Sequence, residues 1–135
     1  MRRWLLDTSA LLTLRDDEAG ADAVAEVLRL AQGGKAVCLA CFISLMEVLY
    51  RVWKDEGEAA GRVAYEQCLA LPIEWVHESP ELLQAAGRFK ATARLSLADA
   101  WIAACAELAG ATLMHKDPEF APLDIPQQPL PYKAG

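Results

Sequence analysis

Four carboxylates along the chain lie where one predicted element ends and another begins. Asp7 and Asp117 each follow a short apolar run of strand length, whereas Glu47 and Asp99 fall in the first turns of predicted helices. Carboxylates that are brought together repel one another, and a bound divalent cation relieves that repulsion. Ligation by oxygen alone favours Mg²⁺ or Mn²⁺, because Zn²⁺ normally recruits histidine or cysteine. The pattern therefore predicts a metal site that can hydrolyse phosphodiester bonds.

The order of the predicted elements explains how these acids could meet. Strands are predicted over residues 3–6, 36–42, 73–76 and 111–115, and helices over 19–32, 44–71 with a break at Gly57, 80–93 and 97–109. Apolar strands that alternate with helices indicate the α/β class, with a parallel sheet covered by helices on both faces. In such a sheet the carboxyl ends of the strands and the starts of the following helices share one edge. A proline-rich stretch from Pro122 to Pro131 predicts an extended tail or an edge segment.

Size, charge and hydropathy limit the classes of protein to which the chain can belong. The 135 residues suit a single domain spanning 1–135, and no apolar window reaches the length of a membrane span. The apolar run after Met1 is too short for the core of a signal peptide, so we expect a cytoplasmic protein with reduced cysteines. The net charge of −6 argues against broad attraction to nucleic acid. A nucleic-acid enzyme with this charge would need a metal ion to compensate locally.

Each acid also has a purely structural interpretation. Ser44-x-x-Glu47 matches a capping box, and Ser96-x-x-Asp99 matches it loosely. Asp7 and Asp117 could be turn residues that bind their own backbone. The joint pattern favours the metal site, because acids occur at all but one of the predicted strand exits.

Four stretches give the chain a resemblance to a known family. They are residues 5–12 (LLDTSALL), 43–50 (ISLMEVLY), 95–104 (LSLADAWIAA) and 111–120 (ATLMHKDPEF). Their order and spacing are similar to those of PIN domains, in particular the toxin ribonucleases of VapBC-type toxin–antitoxin pairs. The resemblance implies a three-layer α/β/α fold, RNA as the substrate, a cognate antitoxin as partner, and an acidic pocket for Mg²⁺ or Mn²⁺.

The resemblance also implies the positions of the site residues. Asp7, Glu47, Asp99 and Asp117 lie at the positions of the family's acids, the first three being the expected main ligands. Asp117 is expected to bind a second, weaker ion or to orient the water. Ser9 lies where the family often has a hydroxyl near the metal, and it is expected to contact the substrate. His115 departs from the family pattern, since many relatives have threonine or serine there, and it could alter metal preference or pocket geometry.

Basic residues near these acids could contact RNA. Arg51 and Lys54 follow Glu47 at helical spacing, so either could reach a phosphate near the metal, although such residues more often form a solvated face. Arg88 and Arg94, with Lys90 between them, form a second basic group with the same two interpretations.

Three other functions remain open at this stage. Cys38-x-x-Cys41 has the spacing of a redox or zinc motif, but it lies inside a predicted strand. The domain could instead be a non-catalytic PIN-like binding module that acts through protein partners, or a phosphatase that uses Asp7 as nucleophile. A homodimer is also possible, through apolar residues of the 44–56 helix, namely Leu45, Val48, Leu49, Val52 and Trp53.

Overall fold

A computed structural model describes residues 1–132 of the chain. The strands are β1 (Arg2–Leu6), β2 (Ala36–Cys41), β3 (Glu74–Val76), β4 (Thr112–His115) and β5 (Gln127–Pro129). The helices are α1 (Thr8–Arg15), α2 (Ala21–Gln32), α3 (Phe42–Glu56), α4 (Glu58–Leu69), α5 (Pro80–Thr92) and α6 (Leu97–Ala109), followed by a short 3₁₀ helix (Pro118–Phe120). In this described part of the chain, no helix is long and apolar enough to cross a membrane.

The five strands form one parallel sheet in the order β3-β2-β1-β4-β5. The chain first builds outward from β1 through β2 to β3, and then crosses back to place β4 on the other side of β1. The strand order therefore reverses beside β1. In open α/β sheets, the crevice at the carboxyl ends of the strands at such a reversal is the usual position for a ligand.

Alternate side chains of the strands pack against two separate helix layers. Leu5 and Leu113 lie in the core formed with α5 and α6. Leu6 and Met114, one residue further along the same strands, lie in the core formed with α1, α2, α3 and α4. This alternation follows from the two-residue period of a strand. The predicted parallel sheet and three-layer α/β/α sandwich are therefore confirmed.

Two differences from the sequence prediction affect the elements that carry the predicted acids. Helix α1 lies outside the predicted elements, since eight residues are too few to give a clear helical period. Helix α3 begins at Phe42 rather than Ser44, because the apolar pair Phe42-Ile43 suits a strand and a helix equally well. The prediction that Glu47 lies in the first turn of this helix is thus wrong, and Glu47 lies in the second. The predicted break at Gly57 is confirmed, with φ at +105°.

The proline-rich stretch supplies the edge strand β5, as the sequence allowed. Gln127 pairs with Leu113 and Pro129 with His115, in parallel register. Proline is tolerated there because the outer side of an edge strand has no neighbouring strand that needs the backbone N–H that proline lacks. The backbone N–H of Leu130 donates to the carbonyl oxygen of His115 at 2.7 Å, which fastens the end of β5 to the end of β4.

Candidate metal centre

The predicted acids lie at the carboxyl edge of the sheet, around the point where the strand order reverses. Asp7 directly follows β1, and Asp117 follows the neighbouring strand β4 by two residues. Glu47 lies in the second turn of α3, and Asp99 in the first turn of α6. Asp7 is close enough to Asp117 and Glu47 for their negative charges to repel its own, and Asp99 is repelled in the same way by Asp117 and Asp7. The structure thus brings the four carboxylates into one electrostatic environment.

The Asp7 carboxylate is buried and held by the start of α1. It caps this helix, because its Oδ1 accepts the backbone N–H of Ala10 at 2.8 Å. The Ser9 hydroxyl lies 2.7 and 2.8 Å from the two Asp7 oxygens. Burial raises the pKa of Asp7 to about 7, against the lowering effect of these hydrogen bonds and with a further increase from Asp117 and Glu47. The structural interpretation of Asp7 as a turn residue that binds nearby backbone thus takes the form of a helix cap. Capping alone does not explain why Asp7 is buried beside other acids.

Glu47 is buried and is fixed by a hydroxyl from α1. The Thr8 hydroxyl donates to its Oε1 at 2.7 Å and lies 2.9 Å from the Ser44 hydroxyl. Arg51 Nη2 lies 3.4 Å from Glu47 Oε2, one helical turn further along. The capping-box interpretation of Glu47 is wrong, because Ser44 lies inside α3 and Cys41 precedes the helix without a side-chain cap.

Asp99 and Asp117 form a tight group with a third acid, Glu119. One carboxylate oxygen from each residue lies within 4.8 Å of the others. Burial, followed by hydrogen bonding with Asp117 and Glu119, raises the pKa of Asp99 to about 9. Asp117 also begins the 3₁₀ helix, where its Oδ1 accepts the N–H of Glu119 at 2.9 Å.

Glu119 is absent from the predicted site, although its position held a signal. It lies two residues after Asp117, and the turn expected at Asp117-Pro118 returns its side chain towards Asp99. Only half of the loose capping box at α6 is formed. The Ser96 hydroxyl accepts the N–H of Asp99 at 3.1 Å, while the N–H of Ser96 points towards Glu119 Oε2 at 3.5 Å.

The chemistry of these donors fits a hard divalent cation. All five acids offer carboxylate oxygens, and the raised pKa values of Asp7 and Asp99 reflect buried charges that have too little compensation. Both ring nitrogens of His115 are engaged elsewhere, with the Asp117 N–H at 3.0 Å and Gln127 Oε1 at 2.8 Å. An all-oxygen set of this kind suits Mg²⁺ or Mn²⁺ better than Zn²⁺.

Comparison with known protein families agrees with the three-layer α/β/α fold. The model of the PIN domain family matches residues 4–125, which cover most of the chain. The chain belongs to the PIN domain family. The resemblance seen in the four sequence stretches is thereby confirmed. A search of curated proteins finds no match.

Solved structures share the fold of this PIN domain along nearly its whole length. VapBC2 from Rickettsia felis, bound to a promoter DNA fragment, has a TM-score of 0.76 at 18% identity and covers 96% of this chain and 99% of its own. DNA-bound VapBC from Salmonella typhimurium has a TM-score of 0.73 at 18% identity, with 95% and 98% covered. VapC20 from Mycobacterium tuberculosis, a toxin that cleaves the sarcin–ricin loop, has a TM-score of 0.70 at 18% identity, with 90% and 95% covered.

The predicted RNA-binding residues of this PIN domain differ in their surroundings. The Ser9 oxygen accepts the backbone N–H of Lys116 at 2.9 Å in addition to its contact with Asp7, so Ser9 joins α1 to the end of β4. Arg51 is exposed beside Glu47, and Lys54 is exposed on the following turn. Their proposed contacts with RNA stay predictions.

Two members of the second basic group, Arg88 and Arg94, line a cleft near the acids. This cleft has a volume of about 580 Å³ and reaches Glu119. Arg88 pairs with Glu107, and Lys90 Nζ donates to the carbonyl oxygen of Leu95. Arg94 is exposed at the cleft and has no ion pair among residues 1–132. Arg94 is therefore the member of this group that is available to an anion.

The two cysteines with redox or zinc spacing lie on opposite faces of the PIN sheet. Cys38 packs in the core with α1 to α4, whereas Cys41 packs in the core with α5 and α6. An odd separation within a strand has this consequence. Because the two side chains point apart, they cannot form a redox pair or bind one zinc ion.

Proposed function

We propose that this PIN domain is a Mg²⁺- or Mn²⁺-dependent endoribonuclease, acting as a single catalytic domain over residues 1–135. The observation that carries the proposal is the group of buried carboxylates at the sheet reversal, where Asp7 and Asp99 have raised pKa values. Buried acids gathered without neutralising partners destabilise a fold, so their presence is best explained by a bound cation and a function that requires it.

In this proposal the side chains of the site have distinct roles. Asp7, Glu47 and Asp99 are the main metal ligands, and Asp117 binds a second ion or orients the attacking water. When bound, the ion activates water and stabilises the charge on the leaving oxygen. The neighbouring hydroxyls keep the ligands in place: Ser9 orients Asp7, and Thr8 orients Glu47.

Basic side chains near the acids would give RNA a path across them. Arg51 and Lys54 lie on the α3 side of the site, next to Glu47. Arg94 lies at the cleft that reaches Glu119. Contacts from these residues would hold successive phosphates of one strand over the acids. Because the net charge is −6, this local placement supplies attraction that the protein as a whole lacks.

We also propose that the protein is the toxin of a toxin–antitoxin pair. Several structures with the same fold are VapBC complexes, and one is described as a toxin–antitoxin complex from Klebsiella pneumoniae. A cognate antitoxin protein is therefore the expected partner. A homodimer could form through Met46, Tyr50 and Trp53, which are exposed along α3, whereas Val48 and Val52 are buried and unavailable.

RNA hydrolysis by the purified protein tests the proposal. Single-stranded and structured RNA are incubated with the wild type, Asp7→Asn and Asp99→Asn in Mg²⁺, Mn²⁺ or a chelator. Asp55→Asn serves as the matched control, since Asp55 is exposed on the far end of α3. We expect metal-dependent cleavage by the wild type and the control. Cleavage by each site variant should be slower by at least about 100-fold, the upper range for a residue that only supports a ligand.

The same assay separates the alternatives when metal binding and the hydrolysis of a small phosphate monoester are measured beside it. Cleavage in the chelator, or full activity of Asp7→Asn, would refute the mechanism. Metal binding without cleavage of any RNA would favour a non-catalytic module. Hydrolysis of a small phosphate monoester, with no action on RNA, would favour a phosphatase that uses Asp7.

A further inference from the structure

A chain of hydrogen bonds joins the edge strand β5 to the acidic site. The backbone N–H of Asp117 donates to His115 Nδ1 at 3.0 Å, and His115 Nε2 lies 2.8 Å from Gln127 Oε1. The Gln127 amide nitrogen donates to the carbonyl oxygens of Phe120 and Leu123, at 2.8 and 3.1 Å. These contacts surround the segment that carries Asp117 and its neighbouring acid.

The groups at the two ends of this series of hydrogen bonds determine which side-chain nitrogen and oxygen atoms donate and which accept. A backbone N–H can only donate, so His115 Nδ1 must be the unprotonated nitrogen of a neutral imidazole. Two carbonyl oxygens can only accept, so the Gln127 amide must turn its NH₂ group towards them and its oxygen towards His115. Both ends therefore place the single imidazole proton on Nε2, where it is donated to Gln127 Oε1.

Packing holds the imidazole ring in this orientation. The His115 side chain is buried, and its ring meets the fully buried ring of Phe120 edge to face, with centroids 5.0 Å apart. Phe120 ends the 3₁₀ helix that begins after Asp117. His115 thus contacts both the beginning and the end of the turn that presents Asp117 and Glu119.

We propose that His115 is a positioning residue of the metal site and that Gln127 supports it. His115 holds the backbone of Asp117 through Nδ1, Asp117 Oδ1 holds the N–H of Glu119, and the two carboxylates are thereby set against Asp99. His115 is not itself a ligand, because neither ring nitrogen is free. This inference rests on the proposed metal-dependent function, and it assigns a role to a residue of the C-terminal edge strand.

Three substitutions separate the hydrogen bonds from simple packing. His115→Leu fills the space but removes the acceptor for the Asp117 N–H. His115→Asn keeps a side-chain oxygen that can accept the N–H of Asp117, two residues ahead, as in an Asx turn. The asparagine side chain is too short to reach Gln127. Gln127→Leu removes the support on the other side. Gln128→Leu is the matched control, since Gln128 is exposed on the same strand.

The measured quantities are the Mn²⁺ dissociation constant by titration calorimetry, kcat and KM for RNA, and the unfolding temperature in chelator. We expect His115→Leu to weaken Mn²⁺ binding by about 10-fold or more, with a lower kcat and an unchanged KM. His115→Asn should restore Mn²⁺ affinity to within about 3-fold of the wild type, although its packing is worse. Gln127→Leu should lie between the two, and Gln128→Leu should match the wild type.

Several outcomes would overturn the inference. One is an Mn²⁺ affinity of His115→Leu equal to that of the wild type. Another is an Mn²⁺ affinity of His115→Asn as low as that of His115→Leu, with the two variants unfolding at the same temperature. Either result, beside a wild type that binds Mn²⁺ and cleaves RNA, refutes the role of His115 alone. A wild type that binds Mn²⁺ without cleaving RNA refutes the proposed ribonuclease alone, and a wild type that binds no Mn²⁺ refutes both.

The protonation of the ring provides a test that needs no metal. A long-range ¹H–¹⁵N spectrum of the metal-free protein should assign the imidazole proton of His115 to Nε2, and the Asp117 amide should be protected from hydrogen exchange. In Gln127→Leu, protection of the Asp117 amide should fall. A proton on Nδ1 in the wild type would overturn the inference, because Nδ1 could then not accept the Asp117 N–H.

Discussion

The metal-free protein should become less stable as pH rises, because it must ionise acids that its fold keeps out of water. Asp7 shows the size of this effect. Its pKa rises from 3.8 to about 7 on folding, chiefly through burial. A tenfold change in an ionisation constant corresponds to about 1.4 kcal/mol, so ionising Asp7 in the folded state destabilises the protein by about 4 kcal/mol.

The direction and the pH range follow from the two pKa values. Below pH 3.8 Asp7 is protonated in both the folded and the unfolded chain, and the full stability is present. Between pH 3.8 and about 7 the unfolded chain releases the proton while the folded protein retains it, so the free energy of unfolding falls. Above about pH 7 the loss from Asp7 is complete, and Asp99 extends the decline towards pH 9.

Thermal unfolding of the wild type and Asp7→Asn in chelator, between pH 4.5 and 8, measures this effect. The neutral amide removes the ionisation, so Asp7→Asn should gain on the wild type as pH rises. At pH 8 its unfolding temperature should be higher by about 10 °C, from about 3 °C per kcal/mol at this chain length. Asp55→Asn should follow the wild type. Saturating Mn²⁺ should reverse the order, since only the wild type binds it well.

Two results would refute this reasoning. One is a difference between Asp7→Asn and the wild type that does not change between pH 4.5 and 8. The other is an Asp7→Asn variant that is less stable than the wild type at pH 8 in chelator. In either case the Asp7 carboxylate would not be a buried, uncompensated charge that a bound cation stabilises.

Two further predictions concern the surroundings of the site, and a third concerns the proposed role as a toxin. Arg94→Ala should raise KM for RNA by about 5-fold and leave kcat within about 2-fold of the wild type. Arg62→Ala on α4 should change neither quantity. Equal effects of the two substitutions would show that RNA does not bind at the cleft beside Arg94. Thr8→Val should lower the free energy of unfolding in saturating Mn²⁺ by about 1–3 kcal/mol, because the Glu47 carboxylate loses a buried hydrogen-bond donor. Unfolding in urea measures this change. An unchanged urea midpoint would show that the Thr8–Glu47 hydrogen bond does not stabilise the fold. Expression of the wild type should arrest bacterial growth, and the product of an adjacent gene should relieve the arrest; harmless expression of a soluble, metal-binding wild type would contradict the toxin proposal.

The fold was largely predictable because its strands are buried on both faces. Apolar runs such as residues 111–115 stand out from the helical periods around them, and the parallel sheet follows from their alternation with helices. The edge shared by strand ends and helix starts then placed the four acids near one another. Local pattern sufficed for these inferences, since each depends on neighbouring residues or on a general rule of α/β topology.

The missing details depend on short elements without a clear period and on contacts between residues that are far apart in the chain. Helix α1 is short, and its start is defined by the Asp7 cap, which the sequence suggested only as a turn. Glu119 joins the site because a 3₁₀ turn returns it to Asp99. Gln127 meets His115 only because β5 pairs with β4, and a proline-rich stretch gives no local sign of its strand partner.

The most direct test of the central claim is anomalous diffraction from crystals of the wild type soaked in Mn²⁺. We predict an ion bound by the carboxylates of Asp7 and Asp99 together with Glu47 or Asp117. Asp7→Asn crystals should lose most of that signal under the same conditions. A wild-type structure in saturating Mn²⁺ with no ion among these acids, or with its ions only on surface carboxylates elsewhere, would contradict the account.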